Sequence, residues 1–247
     1  TGESVTLSLS EHQRVVEMCV EAAGKRVPVI AGAGSNNTAK AVDLAKIAKK
    51  AGADAVLVVA PYYNKPSQDG IYAHFKAIND AVDIPVVVYN VPGRTVVDIS
   101  VETMGRLSKL PNVIGDKDAS SDVGRVSRHR TLCGDAFIQL SGDDPNAVGF
   151  NASGGRGCIS VTANVAPKLC AQLQDASLQG AFDTARQIEE RLAELHKVLF
   201  LEPSPAPAKY ACSLLGHCTE EVRLPIIPCS DAAKAKIKAV MTQAGLL

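Results

Sequence analysis

Residues 85–117 read PVVVYNVPGRTVVDISVETMGRLSKLPNVIGDK, and their punctuation decides the fold. The segment opens on Pro85 and a run of β-branched residues, PVVVYN, and closes on a second run, NVIGDK at 112–117. Pro85 stands at the start of a strand, where a missing N–H does least harm. Between the runs, 100–109 carries a helical pattern. Continuous apolar runs mark strands covered on both faces. A strand, a helix and a second such strand make one right-handed crossover of a parallel sheet.

Moving outward, the same alternation repeats. Further apolar runs occupy 27–32, 55–60, 137–142 and 157–162, with helical patterns at 36–51, 69–81, 121–132, 143–152 and 165–178. Beyond the sixth run the pattern becomes helical only, at 180–199, 204–216 and 230–245. The expected organisation is a strand–helix domain over 1–179 and a C-terminal helical domain over 180–247. The chain starts with TGES directly before a helical pattern at 10–23, where Ser10 and Gln13 have the Ser-x-x-Gln capping spacing. TGES therefore reads as a strand-to-helix loop whose strand lies upstream. Six strands close a parallel barrel poorly and eight close it well. The expected fold is an α/β (β/α)8 barrel lacking its first two strands and first helix, about 40 residues, with a helical extension at the C-terminus. An open doubly wound sheet is the alternative that needs nothing upstream.

Composition excludes several classes of function. Lys plus Arg equals Asp plus Glu at 26 each, so no net field draws nucleic acid or an anionic membrane. Aromatic residues are scarce and Trp is absent, which leaves no stacking platform for bases. No apolar run approaches the roughly 20 residues of a membrane span. Seven dispersed cysteines, none in a C-x-x-C pair, read as reduced residues of a cytoplasmic protein and not as zinc ligands.

In a parallel barrel the chemistry stands at the C-terminal ends of the strands. Those ends carry Asn36, Tyr62, Tyr63, Tyr89, Arg94, Lys117, Gly142 and Ile159, with no histidine among them. Serine hydrolysis and His–metal catalysis lack their usual parts. A desolvated lysine is a nucleophile toward carbonyl carbon, a tyrosine hydroxyl can move the protons, and an arginine can grip a carboxylate. Each has a plainer reading: a solvated strand end for Lys117, a core ring for Tyr89, and a braced Pro-Gly turn for Arg94. Asp143 and Asp144 fit a helix start as well as a metal. GAGSNN at 32–37 reads as a tight turn capped by Asn36 or Asn37.

Taken together, TGES, PYYNKPSQDG, YNVPGRT, GDKDAS, LSGDD and ISVTANVAP resemble the dihydrodipicolinate synthase family in order and spacing along the whole chain. The resemblance implies a lyase that condenses pyruvate with L-aspartate-4-semialdehyde through a Schiff base, in the biosynthesis of diaminopimelate and lysine, with no metal or other cofactor. It implies that Lys117 forms the Schiff base, that Tyr89 relays protons, and that Tyr63 serves a neighbouring subunit of a homotetramer built as a dimer of dimers. Thr1, Arg94, Gly142 and Ile159 would hold substrate, and His12, Asn36 and Tyr62 match an allosteric site. Three departures stand out. The threonine expected just before Thr1 is not in the chain. Leu9 and Lys40 replace a histidine and a glutamate of the allosteric pattern, and Lys40 would repel an inhibitor's ammonium group. Asp116 stands at an apolar position; if Lys117 points inward, Asp116 faces the helices, and the sequence names no partner for it. Another pyruvate aldolase, acting on N-acetylneuraminate or a 2-keto-3-deoxy sugar acid, is the same-fold alternative, with Arg94 against it. A catalytically impaired barrel fragment is the alternative of another class.

Overall fold

A computed structural model describes all residues from Thr1 to Leu247. The chain forms two compact units. The larger, residues 7–142 with 153–156, is a strand–helix repeat. Its strands are β1 (Ile30–Gly32), β2 (Ala55–Val59), β3 (Val86–Asn90), β4 (Val113–Asp118) and β5 (Ile138–Ser141). They pair in parallel, in chain order. The helices are α1 (Leu9–Ala23), α2 (Thr38–Lys50), α3 (Gln68–Ala81), a single turn α4 (Pro92–Thr95), α5 (Val101–Leu107) and α6 (Arg125–Cys133).

The β-branched runs form strands because they are buried on both faces: Val56, Val58, Val86 and Val88 are at most 1% exposed. Helix α3 presents Ile71, His74, Phe75 and Ile78, at i, i+3, i+4 and i+7, to that core. Helix α1 is capped by Ser8 and Glu11, not by Ser10 and Gln13. Ser8 Oγ accepts from Glu11 N at 3.2 Å, and Glu11 Oε2 accepts from Ser8 N at 2.8 Å. A carboxylate at the third position also answers the helix dipole, which glutamine cannot. Asn37 caps α2, as one of the two expected asparagines.

The other unit comprises 1–6, 143–152 and 157–247. It holds α7 (Ala147–Ala152), α8 (Pro167–Leu178), α9 (Phe182–Val198), α10 (Ala206–Leu214) and α11 (Asp231–Gln243). Leu173, Leu192, Leu195, Ile237 and Met241 lie in its core. The sixth run, expected as a strand at 157–162, is not one; only Cys158 makes an isolated bridge, and a 3₁₀ turn follows at Thr162–Asn164. The reason is local. Asp144 takes the amides a ladder would need, accepting from Val161 N at 2.9 Å and Thr162 N at 3.2 Å, while Ser160 Oγ donates to its other oxygen. The Asp144 carboxylate is thereby engaged by backbone and hydroxyl.

Candidate active site

The β3–β4 register sets Tyr89 directly beside Lys117. Paired residues of neighbouring strands share a face, so ring and amine meet. The Lys117 Nζ lies 4.2 Å from the Tyr89 ring centroid. Burial pushes the Tyr89 phenol above its ordinary value, partly offset by the charge of Arg94. The phenol thus holds its proton at neutral pH and can donate it.

Gly142 has a specific reason to be glycine. A Cβ there would stand 2.9 Å from Lys117 Cε, 3.2 Å from Lys117 Cγ and 2.9 Å from Ala119 Cβ. The lysine stem occupies the space that a side chain at position 142 would need. Gly142 N also donates to Asp118 O at 2.7 Å, which ties the end of β5 to β4.

Arg94 sits on α4 in the 91–99 loop and is exposed. Two side chains tie down the far end of that loop. Asn90 donates to Asp98 Oδ1 at 2.7 Å and accepts from Ile99 N at 3.0 Å. Gln68 donates to Asp98 O at 2.8 Å and accepts from Ser100 N at 3.0 Å. Arg125, from α6, then pairs with Asp98 at 2.9 Å and with Asp118 at 3.1 Å, and donates to Ile99 O. Arg125 and Asp118 are 7% and 4% exposed, so this is a buried pair. Asp118 follows Lys117 and Asp98 ends the loop of Arg94, so one guanidinium braces both, and Asn90, which follows Tyr89, joins them through its bond to Asp98.

Asp116 has a partner after all. Its Oδ2 lies 3.0 Å from His129 Nδ1 on α6, with both side chains at most 1% exposed. The contact is at ion-pair distance but outside hydrogen-bond geometry, and neither Asp116 oxygen has a hydrogen bond. Burial pushes the Asp116 carboxyl upward, and the contact with His129 opposes it.

Of the two tyrosines, Tyr62 is half-buried and Tyr63 is 87% exposed. Tyr63 has φ +72°, rare for a bulky residue, in a tight turn closed by Asn64 N to Tyr62 O at 2.9 Å. Asn64 Nδ2 donates to Asn36 O at 2.9 Å, joining the β1 and β2 loops. His12 meets Gly32 O at 2.8 Å through Nε2. Thr1 and Ile159 belong to the other unit. There Glu3 pairs with Lys209 Nζ at 3.0 Å and accepts from Arg223 N at 2.8 Å.

The family model described as the dihydrodipicolinate synthetase family matches residues 1–244. The chain belongs to the dihydrodipicolinate synthetase family. A relative from Parvibaculum lavamentivorans, named 4-hydroxy-tetrahydrodipicolinate synthase, is 61% identical over all of this chain and 85% of its own length. One of the same name from Phenylobacterium zucineum is 60% identical over all of this chain and 84% of its own. A dihydrodipicolinate synthase structure from Aquifex aeolicus aligns with TM-score 0.97 at 45% identity, covering 99% of this chain and 84% of that one. The pyruvate complex of the Acinetobacter baumannii enzyme aligns with TM-score 0.97 at 41% identity, covering 100% and 84%. The lyase class expected from the motifs is the class of this synthase family. No helix is long and apolar enough to cross a membrane.

Sequence reasoning missed Arg125, His129, Asn90 and Asp98. The signal was present: Arg125 and His129 stand four apart on a helix, facing Asp116 and Asp118 two apart on a strand.

Proposed function

We propose that this chain condenses pyruvate with L-aspartate-4-semialdehyde, with Lys117 as the amine that captures pyruvate. The placement of Lys117 Nζ 4.2 Å from the Tyr89 ring, over a glycine that leaves room for its stem, carries the reading. The neutral amine attacks the keto carbon of pyruvate, and the carbinolamine loses water to give an iminium. The iminium draws electrons from the adjacent methyl, which loses a proton and becomes the carbon nucleophile. Tyr89 supplies and recovers protons at the carbinolamine. Arg94 grips the carboxylate of the second substrate through a bidentate guanidinium. Gly142, beside the Lys117 stem, borders the keto acid. The five parallel strands are read as wall of a (β/α)8 barrel, and Tyr63 as a residue offered to a second copy in a tetramer built from dimers.

A substrate panel tests this. Turnover is expected with pyruvate plus L-aspartate-4-semialdehyde and not with N-acetylneuraminate or a 2-keto-3-deoxy sugar acid. Cleavage of either sugar acid at a comparable kcat/KM refutes the assignment of Arg94. Of the allosteric set, His12, Asn36 and Tyr62 are retained, while exposed Lys40 places an ammonium where an inhibitor's own ammonium would bind. L-Lysine is expected to inhibit weakly or not at all; inhibition at low micromolar lysine refutes that.

A further inference from the structure

All seven cysteines are free thiols, and their surroundings differ. Burial pushes the Cys170 and Cys229 thiols up to about 11, which leaves them protonated and inert. Cys212 and Cys218 stand apart, because the fold brings them to one place. Cys212 lies near the end of α10 and is half-buried, while Cys218 follows the helix and is exposed.

Helix α10 ends in a Schellman turn. His217 N donates to Cys212 O at 3.1 Å, Gly216 N donates to Ser213 O at 3.0 Å, and Gly216 takes φ +76°. That reversal sends the chain back over the helix instead of away from it. Cys218 Sγ accordingly donates to Lys209 O at 3.8 Å. Lys209 is three residues before Cys212, so its carbonyl lies one turn back on the same side and points toward Cys212. The Cys212 thiol is pushed up by burial and further by the charge of Cys218. Cys212 Sγ donates to Asn164 O at 3.3 Å, so each sulfur serves as a weak donor in the reduced chain.

The segment after Cys218 grips residues 3–6. Arg223 N donates to Glu3 Oε1 at 2.8 Å, and Arg223 Nη1 donates to Thr6 O at 3.1 Å. From α10 itself, Lys209 Nζ pairs with Glu3 Oε2 at 3.0 Å. Glu220, between Cys218 and Arg223, pairs with Lys234 of α11 at 2.7 Å. Glu3 is thus held by two arms, one on α10 and one on the returning segment, and the two sulfurs sit where those arms meet.

We propose that Cys212 and Cys218 are a peroxide-responsive dithiol whose disulfide fastens the 216–223 segment to α10 and tightens the grip on residues 3–6. Cys218, the exposed partner, reacts first: its sulfur attacks a peroxide oxygen, the O–O bond breaks, and a sulfenic acid and one water form. The Cys212 sulfur then attacks the Cys218 sulfur, loses its proton and expels a second water as the S–S bond closes. Two electrons pass from the thiols to the peroxide. Each thiol leaves its carbonyl, and the covalent link replaces two weak donors. With 218 pinned to 212, a local opening that frees Arg223 has a shorter segment to move. The inference is independent of the role given to Lys117.

The whole chain, reduced and freed of reductant, is treated with hydrogen peroxide, its remaining thiols are capped with iodoacetamide, and trypsin is added. Cleavage after Lys209 and Arg223 gives one peptide, Tyr210–Arg223, that carries both cysteines. The expected peptide is uncapped and two hydrogen masses lighter than the dithiol, and dithiothreitol before capping returns it to the doubly capped form. Cys218→Ser is expected to leave Cys212 capped. A doubly capped peptide after peroxide overturns the proposal. So does a sulfinic or sulfonic acid on Cys218 beside a capped Cys212, or a disulfide from either residue to another cysteine. Hydrogen exchange on the same samples reads the grip. The amides of Thr6 and Arg223 both donate to Glu3 and are expected to exchange about 3-fold or more slowly in the oxidised protein, with no such change in Cys218→Ser. An unchanged or faster exchange with the disulfide formed overturns the fastening.

Discussion

Replacing Arg125 by alanine is expected to cost about 4–5 kcal/mol of stability, and the figure can be built from its partners. Losing one member of a buried ion pair costs about 3–5 kcal/mol, because the survivor stays buried and charged. Asp118 keeps its bonds from Ser120, which lowers the cost toward the bottom of that range. Asp98 is 48% exposed, so its half of the network contributes under about 1 kcal/mol. The bond to Ile99 O adds about 1 kcal/mol. Asp98→Asn is the contrast and should cost less than about 1 kcal/mol. Urea unfolding of the three proteins measures both values. Since Arg125 also braces the loop of Arg94, KM for the second substrate should rise more in Arg125→Ala than KM for pyruvate. A loss below about 1 kcal/mol in Arg125→Ala, or an equal loss in Asp98→Asn, would show that the buried pair with Asp118 is not what holds this corner together.

Three further outcomes are expected. Gly142→Ala pushes a methyl onto the Lys117 stem and Ala119, both 2.9 Å away; steady-state kinetics should show kcat falling by about 10–100-fold while overpacking costs about 1–3 kcal/mol. Tyr89→Phe keeps the ring beside the amine and removes the hydroxyl, so kcat should fall at least about 10²-fold with stability within about 1 kcal/mol; an unchanged kcat removes Tyr89 from the proton path. His74 is buried, bonded to Thr38 Oγ1 at 2.9 Å, and burial pulls its pKa down to about 4. A depressed histidine stabilises the fold above its unfolded value of about 6.5, and that stability is lost as pH falls toward the folded value. About 2–3 kcal/mol should disappear between pH 6.5 and 4, and His74→Gln should flatten that part of the stability profile.

The strands from 27 to 142 were legible because a two-face-buried strand is written as an uninterrupted β-branched run. The meeting of Lys117 with Tyr89 was legible because both close neighbouring strands of a parallel sheet, where strand ends carry the chemistry. The run at 157–162 misled because its pattern is that of a strand, while Asp144, from an earlier segment, captures its amides. Composition of a run does not reveal such a competitor. The capping box moved two residues because Ser8 and Ser10 both have a polar residue three positions on, and only Glu11 is charged. Asp116 was visible as an anomaly, but its partner required knowing which face of α6 packs on β4. The sequence places His129 on a helix, and only packing brings it to 3.0 Å.

Incubation with pyruvate and borohydride, followed by peptide mass mapping, tests the central claim most directly. A single reduced pyruvyl group on Lys117, absent when pyruvate is omitted and absent from Lys117→Ala, is the predicted result. A folded protein that carries no adduct, or carries it on another lysine, contradicts the role assigned to that amine.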